Sequence, residues 1–328
     1  MQRKGRFQIP RDREGQSLLD FLCSRFPYHT AEGWRERIAG GSVRVNGETA
    51  DPDRALRAGD VVEYVPGDVR EPEIDSNIDV VHRDRDLLVI NKSGNLPCHP
   101  GGRYFNHTLW AILKTSYGLD APAFVNRLDR ETSGIVLVAL SPKAAQACRS
   151  QFENRSVQKR YVVLVEGAFP VELTARGRLR TAPLASVRRA VLFEPEPDAT
   201  PETVAAAGSE WAETRFRRIA LHGAISAVEV IPTTGRLHQI RATLRGLGYP
   251  VVGDKLYGVD PDIFARFCTG AMTDTDRSRL RMGRQALHAA SLRITHPRTR
   301  REVLFEAPLP ADMALAMAAQ DRETWAGG

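Results

Sequence analysis

Hydrophobic and polar positions along the chain fall into two regimes. In the first, Leu18, Leu19 and Leu22 predict a helix ending near Phe26. A second helix is predicted over residues 30–39, started by Thr30 and stopped by Gly40-Gly41. Val43 and Val45 then alternate with polar residues up to Asn46-Gly47, a pair suited to a tight hairpin. Gly59-Asp60 begins another turn before the strand VVEYV. Residues 15–65 therefore read as a compact α+β module. Residues 66–77, PGDVREPEIDSN, carry no hydrophobic period and read as a linker.

The second regime, residues 78–315, mixes both periods. LLVINK and IVLVAL are apolar runs of strand length, and KRYVVLVEG and SAVEVI also read as strands. Ser141 and Pro142 mark the start of a helix over SPKAAQACRSQF. RLHQIRATLRGLG predicts a helix with Leu237, Ile240, Leu244 and Leu247 on one stripe and Gly248 as its stop. The order is not a clean βαβ repeat. It predicts an α+β fold with a mixed, largely antiparallel central sheet and flanking helices.

Composition adds limits. The 328 residues are 42% hydrophobic and 26% charged, ordinary for a globular chain of about two domains. No apolar run approaches the roughly 18 residues of a membrane span, and the N-terminus lacks a signal-like stretch, so a cytoplasmic protein is expected. Cys23, Cys98, Cys148 and Cys268 make neither a disulfide framework nor a zinc pattern, and no metal is expected. Residues 1–66 hold 11 basic and 10 acidic side chains, a net of +1, whereas residues 211–301 hold 16 and 7, a net of +9. That concentration suits a polyanionic partner as well as a solvated charged surface.

Two segments carry candidate chemistry. In VNRLDRETSGIVLVA, Asp129 stands between Arg127 and Arg130 in a polar turn before a buried strand. The spacing fits an ion-paired turn aspartate as well as a catalytic carboxylate at a strand edge. In PTTGRLHQIRATL, Arg241 lies beside the apolar stripe; buried it would need an acidic partner, and otherwise it snorkels to solvent.

In order along the chain, NKSGNLPCHPGG, NRLDRETSG, VQKRYVVLVEG, TGRLHQIRATL with GYPVVGDKLYG, LHAASLRITHP and APLPADM resemble the motifs of RluA-type pseudouridine synthases of ribosomal and transfer RNA. GQSLLDFL, WRERIAGGSVRVNG and LRAGDVVEY resemble the alpha-L RNA-binding module. The resemblance implies that Asp129 is the catalytic aspartate, that Tyr161 lies against the target base and that Arg241 pairs with the aspartate. Arg35 and Arg37 on the module, with Arg127 in NRLDRETSG and Arg236 in TGRLHQIRATL, are the expected RNA contacts. The implied partner is ribosomal or transfer RNA, with no DNA or membrane, and a monomer is expected. Pseudouridine formation is redox-neutral and breaks no phosphate bond, so no cofactor is expected. His238 and His288 are read as structural.

Three positions depart from the family pattern. Asn126 stands where histidine is frequent. Ser93 replaces a usual proline, with a looser loop expected. Thr243 replaces a usual histidine, with a change in packing or RNA contact expected. Two rival readings remain: a nucleoside glycosidase, which usually needs two carboxylates, and a non-catalytic RNA-binding or ribosome-assembly protein.

Overall fold

The computed structural model describes residues 5–26, 29–65, 71–184, 187–198, 200–206 and 209–326. The chain forms two compact units. One comprises residues 1–74 and 99–117, the other 75–98 and 118–328.

The first unit contains β1 (Gly5–Gln8), α1 (Leu18–Arg25), α2 (Ala31–Ala39), β2 (Val43–Val45), β3 (Glu48–Thr49) and β4 (Val61–Tyr64). Both predicted helices form. Ser17 caps α1 by accepting the Asp20 N–H, and Thr30 caps α2 by accepting the Gly33 N–H. Asn46 and Gly47 adopt positive φ and close the β2–β3 hairpin. The sheet order is β1-β4-β2-β3, so β1 adds a strand that the pattern did not predict. Leu18, Leu22, Trp34, Val43, Val45 and Val62 are fully buried at its centre.

The linker expected at 66–77 lies partly outside the described residues. Its Glu71 is anchored, accepting the N–H groups of Phe105, Asn106 and His107 at 2.7–2.8 Å. Residues 99–117, expected with the larger domain, thereby group with the first unit and carry α3 (Leu109–Thr115).

The second unit follows with β5 (Ile78–Arg83), β6 (Leu87–Lys92), β7 (Ala123–Phe124), β8 (Ser133–Ala139), α4 (Pro142–Glu153), β9 (Gln158–Glu166), β10 (Glu172–Leu184) and β11 (Val187–Pro195). Then come α5 (Pro201–Ala206), β12 (Glu210–His222), β13 (Ile225–Pro232), α6 (Gln239–Gly246), α7 (Ile263–Thr269), α8 (Asp274–Leu280), β14 (Leu287–Thr295), β15 (Glu302–Glu306) and α9 (Ala311–Ala326). The sheet runs β11-β10-β12-β13-β9-β14-β8-β6-β5, with β15 on β14 and β7 on β8. Among the described residues every pairing is antiparallel except β14 with β8. That parallel seam has only two register pairs, His288 with Ser133 and Ala289 with Gly134. The α+β class with a mixed, largely antiparallel sheet is thus present.

The helix expected across RLHQIRATLRGLG begins late. His238 sits at φ 51°, which breaks the chain direction before Gln239, and Leu237 is exposed rather than part of the stripe. Ile240 and Leu244 do bury, and Gly248 at φ 85° ends the run.

No described helix is long and apolar enough to cross a membrane.

Candidate active site

The β8 strand is buried along its whole length, and the turn before it presents Asp129. Thr132 N–H closes that turn on the Asp129 carbonyl at 3.2 Å. Gly134 cannot be replaced without a clash: its φ is 109°, and a Cβ there would stand 2.2 Å from the Ala289 carbonyl across the seam. The close approach of β14 brings Gln285, just before that strand, to the same turn.

Arg241 reaches Asp129 from α6. Its Nη1 donates to Asp129 Oδ2 at 2.8 Å. Its Nε and Nη2 grip Asp254 at 2.6 and 2.9 Å. The acidic partner that a buried arginine needs is therefore double, and the two-pronged grip belongs to Asp254. Asp254 is itself fixed by accepting the N–H groups of Leu256 and Tyr257. The Arg241 guanidinium lies 5.0 Å from the centre of the Tyr257 ring. Sequence reading missed Asp254, although it stands inside the quoted segment GYPVVGDKLYG, because Arg241 already had an acidic partner in Asp129.

Asp129, Tyr161 and Arg241 line one pocket of about 100 Å³, with Leu128, Thr132, Lys159, Thr234, His238, Ile240 and Leu287 among its other walls. The Asp129 side chain is 31% exposed into it. Burial alone would raise its pKa, but the charge and hydrogen bond of Arg241, aided by His238 and Gln285, hold it below the ordinary value. Burial and the Asp129 charge push the Tyr161 phenol up to about 12, so it stays protonated at neutral pH.

His238, read as structural from sequence, is at the site. Its Nε2 lies 3.8 Å from Asp129 Oδ1 and its Nδ1 is 3.0 Å from the Tyr257 hydroxyl. Burial lowers its pKa despite Asp129, which favours the neutral ring. His288 is a core residue between the Ser133 hydroxyl and the Ala307 carbonyl.

Behind Asp129 a second carboxylate organises the turn. Glu131 accepts from Arg130 at 2.7 Å, from Lys255 at 3.0 and 3.1 Å and from the Gln285 N–H at 3.2 Å. Its carbonyl accepts from Arg284, which also grips Asp312 at 2.6 and 2.8 Å. Lys92, fully buried, donates to the carbonyls of Ser93 and Arg130; burial lowers its pKa to about 8.

Of the expected RNA contacts, Arg127 and Arg236 line the pocket and are exposed. Arg236 pairs with Glu210 at 3.2 Å. Arg35 and Arg37 stand on α2 of the first unit, bonded to Glu32 and to the Gly33 carbonyl. Ser93 is tethered to the Asp75 carbonyl at 2.6 Å, so the loop there is tied rather than loosened. Thr243 is fully buried with its hydroxyl unpartnered, which leaves a packing effect and removes the RNA contact.

Among the described residues one trio, Asp84, Asp86 and His296, gathers ligand-type atoms within 4.8 Å. Sequence reading missed it because the partners are 212 residues apart. Its groups are committed to one another and to Arg298, His296 reaching Asp84 at 2.8 Å.

An arginine clamped between two carboxylates, one of them in a pocket beside the seam of a mixed sheet, is the arrangement this fold builds. Comparison with known proteins gives the family. The family described as RNA pseudouridylate synthase matches residues 86–245. An uncharacterized RNA pseudouridine synthase of Synechocystis is 30% identical over 90% of this chain and 95% of its own length. The ribosomal large subunit pseudouridine synthase D of Xanthomonas campestris is 31% identical over 95% and 91%. The mitochondrial tRNA pseudouridine(32) synthase of Saccharomyces cerevisiae is 34% identical over 75% of this chain and 51% of its own. The solved structure of human RNA pseudouridylate synthase domain containing 1 superposes with a TM-score of 0.56 at 27% identity, over 75% and 90%. The chain belongs to the RluA-type RNA pseudouridine synthases, isomerases that convert uridine to pseudouridine within RNA.

Proposed function

We propose that Asp129 is the catalytic carboxylate of this synthase, that Arg241 keeps it ionised and aimed, and that Tyr161 lies against the uracil of a uridine turned out of ribosomal or transfer RNA. The observation that carries this reading is the convergence of Asp129 and Arg241, 112 residues apart in sequence, on one pocket that Tyr161 also lines.

The chemistry breaks C1′–N1, turns the uracil over and joins C1′ to C5; the C5 hydrogen leaves as a proton and N1 gains one. An ionised carboxylate supplies the electron pair or the base that this sequence needs. Arg241 preserves the ionised form, and its grip on Asp254 stops it swinging away. Neutral Tyr161 presents a ring to the loosened base and a hydroxyl proton rather than a phenolate base. The target must leave its stack to bring its base against Asp129. Arg127 and Arg236 at the pocket, and Arg35 and Arg37 on the first unit, are proposed to meet the RNA backbone. The rival glycosidase reading lacks its second carboxylate in the pocket: Asp254 is fully buried and spent on Arg241. A monomer is proposed because one chain supplies every group of the site. The cytoplasmic setting rests on the sequence alone.

The test is direct. Purified chain and Asp129→Asn are incubated with total RNA from cells lacking the gene, and pseudouridines are mapped. The native chain is expected to restore specific sites, and the variant to bind RNA while restoring none. Restoration by Asp129→Asn at more than about a tenth of the native rate, a barrier change of only ~1.4 kcal/mol, would sink the assignment.

A further inference from the structure

Lys159 shares a strand and a face with Tyr161, two residues away on β9, and lines the same pocket. Its ammonium has a single hydrogen bond, to the Thr234 carbonyl at 3.3 Å. Among the described residues no carboxylate lies within ion-pairing distance of it. Arg241, a buried cation of the same pocket, spends its guanidinium on two carboxylates.

The ammonium stands beside an exposed stretch of the pocket wall. Gly235 and Arg236, which follow its carbonyl partner, are exposed, and a Cβ on Gly235 would stand 3.4 Å from the Lys159 Nζ. Exposed Arg127 lines the same pocket, with no hydrogen bond or ion pair among the described residues. A uridine turned into the pocket stays joined to its neighbours through phosphates, which must pass the exposed side of the pocket, where Arg127, Gly235 and Arg236 stand in the same lining as Lys159.

We propose that Lys159 is a substrate-binding residue that holds a backbone phosphate next to the target uridine. This rests on the reading of the pocket as the uridine site. A compact ammonium serves a phosphate as a point charge and needs no fixed fork geometry. Burial and the nearby Arg155 push the Lys159 pKa down, a cost that an arriving phosphate reverses by favouring the charged form.

The test uses the full chain, with Lys159→Met, which keeps the apolar stem, and Lys159→Arg, which keeps the charge. The probe is a short end-labelled hairpin RNA with uridines in its loop. Its dissociation constant is measured at several salt concentrations. Lys159→Met is expected to weaken binding about tenfold and to flatten the slope of log K against log salt by about one phosphate, roughly 0.7–0.9. Lys159→Arg should recover most of both. With methylphosphonates placed singly along the loop, one position should weaken the native chain but not Lys159→Met. An unchanged affinity and slope in Lys159→Met overturns the proposal. So does a collapse of the single-turnover rate at saturating RNA with native affinity, which would put Lys159 in the chemistry. Asp129→Asn, measured alongside, should bind with the native slope and make no product. If the native chain makes none either, the reading of the pocket fails, while the salt slope still reports on Lys159.

Discussion

Arg241 carries three hydrogen bonds to two carboxylates, and this changes what its replacement would do. Truncation to Met would strand buried Asp254 as well as free Asp129, and breaking such a pair costs about 3–5 kcal/mol. The informative variant is Arg241→Lys, which keeps one charge but cannot hold both partners. Asp129 has a lowered pKa because of Arg241. Its ionised form, and any activity that needs it, is therefore present at neutral pH and lost only as pH falls through that lowered value. With the clamp weakened, burial pushes the pKa back up, so the acid limb of the rate profile should move toward neutrality. A pH–rate profile with an unshifted acid limb would contradict the clamp. The same sign governs stability: Asp129 and Asp254 both have lowered values, so what they add is present above the ordinary carboxylate range and lost on acidification below it.

The turn before β8 is held as an element, by more than the contacts of Asp129. Glu131 links it to Lys255 and to Gln285, and Arg284 links it to Asp312 at the start of α9. Gly94 leaves the space through which Arg284 passes: a Cβ there would stand 2.3 Å from the Arg284 Cδ. Gly94→Ala is expected to cost about 1–3 kcal/mol through overpacking and to lower the saturating rate more than the affinity for RNA. Thermal unfolding with steady-state kinetics checks this; a native melting temperature and rate would show that Arg284 moves aside freely. Elements of this kind were unevenly legible. Caps, turns and apolar runs placed α1, α2, α4, β6 and β8 because those signals are local. The late start of α6 was hidden because His238 adopts a left-handed conformation that its residue type does not advertise. β1 was missed because its four residues have meaning only beside β4. Arg241's need for an acid was readable, but its second partner, Asp254, was not, since nothing in spacing distinguishes a clamped aspartate from one in a turn.

At the scale of the molecule, residues 5–65 have their own buried centre around Trp34, Leu22 and Val62, separate from the sheet that bears the pocket. Removing residues 1–65 should therefore weaken RNA binding and flatten its salt dependence while changing turnover at saturating RNA much less. Binding isotherms of both forms on one RNA at several salt concentrations measure this. Equal slopes and affinities would mean that the +9 segment at 211–301 does the binding. The motif order in sequence announced the fold class, but it did not announce where the great sheet is joined. That join is the two-pair seam between β8 and β14. Asp129 hangs from one side of it, and Tyr161, Arg241, Asp254 and Gln285 from the other. Neither half-sheet alone holds a working site, however well its own hydrogen bonds are made. Closing the seam draws together groups more than a hundred residues apart, the kind of non-local contact that forms slowly. During refolding, the return of turnover is thus a clock for the docking of the two halves and is silent about the birth of either.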